Sequence, residues 1–316
     1  MPRTATPSDW FMLFALTIFW GTSFLFNELA LKAFPPAVLV LSRLVLALVA
    51  LGGFLLVSGR QLPRPGRAWI PWIVIAVLGA LLPMRLTAWG QQYIGSAETG
   101  ILMAISPLLV FTLAHFFLPG ERLTPFRLVG FVLGFGGVIL VLGPDALDGL
   151  SGNLELLGML AVLGAALSYS INSVYTRRAA GDQDPLVLAT GMMLLASLFN
   201  VPGAAEAREA VVFPPSMLAL VALLILGLVC SALASVMYFE LVRGPGPGFT
   251  TLVTYLVPVW ATLAGGLVLH EDLPLRVWGG LALVLSGIAV SELGGHGLRR
   301  LRLRRDLNRV SRVGLR

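Results

Sequence analysis

The chain has 316 residues, 57% of them hydrophobic and 12% charged, with a mean hydropathy of +0.88. Soluble domains carry about 25% charged residues, so a water-soluble globular protein is excluded. The net charge of +6 is local: residues 299–316 hold eight arginines and one aspartate, which leaves the rest of the chain close to neutral. Cys230 is the only cysteine, so neither a disulfide within the chain nor a cysteine metal cluster can form.

About 20 apolar residues cross a bilayer as a helix. Taken in order, the apolar segments predict spans at 9–31, 37–57, 69–91, 97–118, 125–143, 154–177, 186–205, 216–241, 248–269 and 274–293. Short breaks rich in Pro and Gly separate them, among them Pro35-Pro36, Pro119-Gly120 and Gly244-Pro245-Gly246-Pro247. The first span runs into Asn27-Glu28 and not into a small-residue cleavage site, so it reads as a retained helix and not as a signal peptide.

The two halves follow one plan. Pro107 aligns with Pro258, Glu121 with Glu271, Leu123 with Leu273 and Gly137 with Gly287, at spacings of 150 or 151 residues. The expectation is an all-α membrane protein of ten transmembrane helices in two five-helix repeats. The first covers 9–143 and the second 154–293, with an Arg-rich tail at 294–316. An odd number of crossings per repeat inverts one half relative to the other, a plan typical of secondary transporters.

With the N-terminus placed in the cytoplasm, cytoplasmic segments hold 17 of the 22 basic residues, and extracytoplasmic loops hold only Lys32, Arg208 and Arg276. The positive-inside rule therefore predicts both termini in the cytoplasm. The tail suits a topology anchor that meets anionic lipid headgroups; nothing else in the chain supports nucleic-acid binding. Small residues at Gly130, Gly134, Gly136 and Gly137, and at Gly279, Gly280, Ser286 and Gly287, suit close helix contacts as scaffold or in a homodimer.

At Trp20-Gly21-Thr22-Ser23-Phe24 the first helix resembles the opening of EamA-type proteins of the drug/metabolite transporter superfamily. Pro107, Gly120-Glu121-Arg122-Leu123-Thr124, Gly130 and Gly137 resemble the end of the EamA repeat. Pro258, Glu271-Asp272-Leu273 and Gly287 form its second copy, with His270 where Gly is usual and Pro274 where Thr is common. The second half also lacks the Trp-Gly opening, having Tyr169-Ser170-Ile171-Asn172. The resemblance covers roughly residues 10–293. It implies carriage of a small-molecule substrate across a bacterial inner membrane, and the chain looks most like exporters of amino acids, aromatic ones included. A drug or nucleotide-sugar carrier is the alternative.

Polar residues inside membrane helices are costly and therefore informative. Trp20, Ser23 and Asn27 share one helical face, as do Arg85, Trp89 and Gln92, and Ser168, Asn172 and Tyr175. Ser231, Ser235 and Tyr238 form a fourth stripe; Thr99 and Met103, and Thr254 and Tyr255 with Thr251, offer two more. Together they predict a central cavity of aromatic walls and a few polar groups, which suits a small zwitterion. The competing reading is that Ser, Thr and Asn only hydrogen-bond neighbouring helices. Arg43 and Arg85 lie inside helices, and either, Arg85 first, suits a substrate carboxylate or an outer gate. The rival reading pairs them with Glu28 or Glu98, or has them cap the carbonyls of broken helices. Pro107 and Pro258 each remove a backbone hydrogen bond and suit hinges or static kinks. Glu121 and Glu271 suit capping of turns, and His115 suits a proton site or, near the cytoplasmic end of its helix, a packed or solvated role.

No phosphate-binding loop is present, and the three histidines, His115, His270 and His296, lie in different segments without a metalloprotease or hydrolase motif. The sequence therefore predicts no cofactor, no metal and no catalysis.

Overall fold

The fold was analysed in a computed structural model, in which residues 3–64, 66–119, 123–143, 153–179, 183–250, 252–271 and 273–291 are described. Glu121, Arg122, Thr251, Asp272 and the Arg-rich tail, about which the sequence raised expectations, lie outside the described residues.

Ten apolar helices occur among the described residues: α1 Pro7–Leu31, α2 Pro36–Val57, α3 Ile70–Gly90, α4 Ser96–Phe117, α5 Pro125–Leu142, α6 Leu154–Ala179, α7 Pro185–Glu206, α8 Met217–Tyr238, α9 Leu252–Val268 and α10 Leu275–Ser291. The first eight are long and apolar enough to cross a membrane, and α9 and α10 are shorter. Each lies within a few residues of its predicted span.

Local chemistry fixes the helix starts. Thr6 and Asp9 form a reciprocal capping box on α1, and Arg3 closes over the Asp9 carboxylate in an ion pair. Asp184 accepts from the Leu186 and Val187 amides at the start of α7, and Ser216 accepts from the Ala219 amide at the start of α8. Proline fills the first turn of α1, α2, α5 and α7, where no amide donor is missed.

The helices bury apolar side chains on one side and expose them on the other. Phe11, Val49, Leu56, Val132, Phe135 and Leu267 are all exposed. Such a surface is tolerable in hydrocarbon and not in water.

The packing pattern is two-fold. α1 packs on α8 and α9, α2 on α7 and α8, α3 on α6 and α7, and α4 on α6 and α9. α5 meets α10 at glycines: a Cβ on Gly130 would lie 2.3 Å from the Gly287 carbonyl, and one on Gly137 would lie 2.7 Å from that of Gly280. Exchanging each helix with the one five places along maps this set of contacts onto itself. With an odd number of crossings per half, that symmetry makes the repeats inverted. Gly130 and Gly137 of α5 and Gly280 and Gly287 of α10 are therefore occupied within the chain, as scaffold, whereas Gly136 and Ser286 lie off this contact.

Three departures from regular helix matter for the site. α3 contains a π-helical turn at Val77–Leu81 and α8 another at Ile225–Leu233. They occupy equivalent places in the repeats: Leu78 and Leu226, and Gly79 and Gly227, are each 148 residues apart. Such turns are frequent at functional sites. The third departure is a break in α4, whose helical pieces run Ser96–Met103 and Ser106–Phe117. Pro107 stands in the first turn of the second piece, whereas Pro258 sits inside a continuous helix.

Candidate functional site

The predicted stripes do not all reach one place. The structure sorts them into a central seam, where helices from opposite halves meet, and several clasps that fasten helices together.

The seam follows the α3–α6 and α1–α8 pairings. Ser168 on α6 is buried and donates to the Leu78 carbonyl at 2.9 Å, inside the π-turn of α3. One turn further along α6, Asn172 lies against Gly79; a Cβ there would come within 2.5 Å of the Asn172 amide nitrogen. Tyr175 is half-buried on the same stripe. Across the pseudo-symmetric contact, the Trp20 ring of α1 lies 5.5 Å from that of Tyr238 on α8. In the π-turn of α8, Ser231 is buried and donates to the Leu226 carbonyl at 2.8 Å. Both π-turns thus have the carbonyl at the equivalent leucine satisfied by a serine hydroxyl, one from a facing helix and one from the same helix.

Arg43 enters this seam from α2. Its Nε donates to Ser231 Oγ at 2.8 Å. The side chain is half-buried, and its charge reaches Tyr169 on α6 and Cys230 on α8. It forms no ion pair among the described residues. Arg43 is the eighth residue of α2, so its Cα lies roughly 10 Å below the helix start at 1.5 Å per residue. An arginine at the centre of a membrane helix costs about 2.5–3.5 kcal/mol on insertion scales, so its place here needs a reason.

Arg85 is placed differently. Its guanidinium donates to Asn200 Oδ1 at 2.9 Å and lies against Gly203, both on α7. Asn200 in turn donates to the Ala37 carbonyl at 2.9 Å, at the start of α2. Arg85 therefore closes a clasp joining α3, α7 and α2. Neither arginine meets Glu28 or Glu98 among the described contacts, so the ion-pair alternative is not the arrangement found.

A second clasp holds α1. Asn27 donates to Gln91 Oε1 at 2.6 Å, and Gln91 donates to the Phe24 carbonyl at 2.9 Å. Gln91 is buried, whereas Gln92, the residue picked out by spacing, is exposed. Ser23 and Thr99 are buried and bond within their own helices, to the Trp20 carbonyl at 2.6 Å and the Gly95 carbonyl at 2.8 Å. Trp89 stacks edge-on with Tyr93 at 5.1 Å. Met103 and Tyr255 pack on an apolar cluster containing Ile101, Val138 and Val284. Thr254, next to Tyr255 on α9, is half-buried.

Glu271, from the α9–α10 turn, caps the start of α4. Its carboxylate accepts from the Ser96 amide at 2.9 Å, the Ser96 hydroxyl at 2.6 Å and the Ala97 amide at 3.1 Å. The capping role expected of this glutamate is the one observed. Glu28 on α1 lies beside it, and its Oε2 is buried without a hydrogen-bond partner. Glu98 is half-buried within electrostatic reach of Glu155 and Arg276, and those two residues approach each other to 3.9 Å. His115 accepts from the Leu123 amide at 3.2 Å and so orders the end of α4. No group of three or more His, Cys, Asp or Glu side chains suited to a metal occurs among the described residues.

The comparisons agree with this architecture. The model of the EamA-like transporter family matches twice, at residues 9–143 and 156–293. The chain is 29% identical over 292 residues to the uncharacterized inner membrane transporter YedA of Escherichia coli K12, covering 89% of this chain and 90% of that protein. It is 25% identical over 297 residues to the uncharacterized transporter YvbV of Bacillus subtilis, covering 92% of each. An uncharacterized transporter of Archaeoglobus fulgidus is 26% identical over 90% of this chain and 98% of its own. One solved crystal structure superposes with a TM-score of 0.66 at 22% identity, covering 93% of this chain and 99% of that one, which is a likeness of fold. Two family matches that together span nearly every described helix place this multi-pass membrane protein in the EamA-like transporter family.

Proposed function

We propose that this transporter exports small metabolites, amino acids foremost, across the inner membrane by alternating access. Both termini lie in the cytoplasm in this reading, and the Arg-rich tail rests on anionic lipid. The observation that carries it is the seam: α3 meets α6 and α1 meets α8, each pair joins opposite halves, and a π-turn interrupts one helix of each pair. A rocking motion of one repeat against the other must act on these contacts. The seam offers aromatic walls at Trp20 and Tyr238 and sparse polar groups at Ser168, Asn172 and Ser231. That mixture suits a small zwitterion whose side chain varies. Glu28 and Glu98 belong to the α4 start, away from the seam, and we assign them to the outer ends of the helices. Amino-acid specificity draws its support from the chemistry of the seam, aromatic rings beside sparse polar groups, and from the resemblance of the sequence to amino-acid exporters.

The experiment is efflux from cells preloaded with labelled dipeptides that hydrolyse to free amino acids inside. Expression of the protein should raise the rate at which free label appears outside. Equal rates with and without the protein, at verified membrane levels, would remove amino-acid export.

A further inference from the structure

Arg43 reaches from α2 to the π-turn of α8, on the α1–α8 side of the seam. It donates one hydrogen bond to a described residue, from Nε to Ser231 Oγ at 2.8 Å. Its terminal guanidinium nitrogens, the two that form a bidentate fork, donate none to the described residues. Tyr169 of α6 and the buried Cys230 of α8 lie within electrostatic reach of Arg43, and neither carries a carboxylate. Arg85, the other intramembrane arginine, has its guanidinium held by Asn200 in a clasp completed through Ala37.

A cation kept inside a membrane helix without an acidic partner is stabilised only when an anion arrives or water reaches it. Ser231 holds the Nε side of the guanidinium and thereby fixes its plane. An arginine fork in a fixed plane matches a carboxylate in two parallel hydrogen bonds. We infer that Arg43 is the anion anchor of the transport site, so that the substrates of this carrier bear a carboxylate and organic cations without one are excluded. The inference rests on the proposed transport reading and narrows it, and it moves the carboxylate role from Arg85 to Arg43. Ser231 is a positioning residue for this anchor. Its own bond to the Leu226 carbonyl ties the anchor to the π-turn of α8, so engagement of the carboxylate is coupled to the irregular part of a helix at the interface of the two halves.

The test uses the purified full-length protein in detergent and in proteoliposomes. The probes are phenylalanine and alanine, with phenylalaninamide, phenethylamine and 3-phenylpropionate as analogues. Ligand-induced thermal stabilisation should follow the carboxylate: present with phenylalanine or alanine, and lost with the amide and the amine. Arg43→Gln should weaken binding by about 10–100-fold, the range for a charge-assisted hydrogen bond. Arg43→Lys should retain part of it, and Arg85→Gln should lower stability without shifting the affinity of folded protein. Ser231→Ala should raise KM with a smaller change in maximal rate. Carboxylate-dependent transport with the same KM in wild type and Arg43→Gln would overturn the anchor and leave amino-acid transport standing. Binding of 3-phenylpropionate but of no amino acid, abolished in Arg43→Gln, would keep the anchor and remove the amino-acid reading. Transport of phenethylamine alone would overturn both.

Discussion

Gly136 and Gly137 are neighbours on α5, yet the fold gives them opposite prospects. A Cβ on Gly136 meets nothing within 4 Å, because that position faces outward. A Cβ on Gly137 would lie 2.7 Å from the Gly280 carbonyl oxygen, 2.8 Å from a Val284 methyl and 3.0 Å from the Val284 amide. Two of those three atoms are backbone, so no side-chain rotation can relieve the clash. α5 must move from α10 by several tenths of an ångström, and every contact along the crossing stretches with it. Overpacking of this kind costs about 1–3 kcal/mol. At Gly136 the change to alanine adds helix propensity instead, worth at most about 1 kcal/mol. Gly137→Ala should therefore lower the midpoint of thermal denaturation in detergent, followed by loss of the monodisperse elution peak, whereas Gly136→Ala should leave it unchanged or raise it. Equal destabilisation by both, or a larger effect at Gly136, would refute the assignment of the small-residue faces to the α5–α10 contact and point to an outward helix contact instead.

Other substitutions separate the clasps from the seam. Glu271→Ala removes three hydrogen bonds at the start of α4 and should cost about 1–3 kcal/mol, measured as a lower thermal midpoint with substrate affinity of the folded fraction intact. Arg85→Gln should behave in the same way, and Asn200→Ala should cost at least as much, because it also removes the bond to the Ala37 carbonyl; additive losses in the double variant would contradict the shared contact. Glu28→Gln should be tolerated, since an amide keeps the shape of the side chain and can donate to the neighbouring Glu271 carboxylate, and the thermal midpoint reads this directly. Ser168→Ala exposes the Leu78 carbonyl of the α3 π-turn and should cost about 1 kcal/mol while lowering the transport rate more than a comparable change at Thr99, whose hydroxyl bonds within its own helix.

Much of the fold could be read from the chain because hydrophobicity in lipid is a strong and simple signal. The ten spans, the Glu271 cap and the paired repeats all followed from apolar length, turn residues and spacing. The π-turns did not, although Val77-Leu78-Gly79 and Ile225-Leu226-Gly227 carry the same pattern 148 residues apart. A single extra residue in a helical turn shifts the side-chain period too little to show in an apolar run. The break at residues 104–105 was anticipated as a kink at Pro107, since a proline names the place but not whether the helix bends or stops. Site residues were the least legible. Helical spacing says which side chains share a face and cannot say which neighbour that face meets. Arg43 and Arg85 looked alike for this reason, until Asn200 and Ser231 separated them. Helical spacing selects Gln92, yet it is Gln91 that turns inward to Asn27, because one residue of phase at a helix end decides which amide does so.

In the proposed function, this EamA-family protein carries amino acids through the seam between its halves. The most direct measurement is counterflow in proteoliposomes, with a panel of unlabelled amino acids inside and trace labelled amino acid outside. The account predicts transient, saturable accumulation of label that requires both the protein and internal substrate and is strongly reduced in Arg43→Gln. Absence of counterflow for every amino acid, with protein shown to be folded and inserted, or a flux that does not saturate, would contradict it.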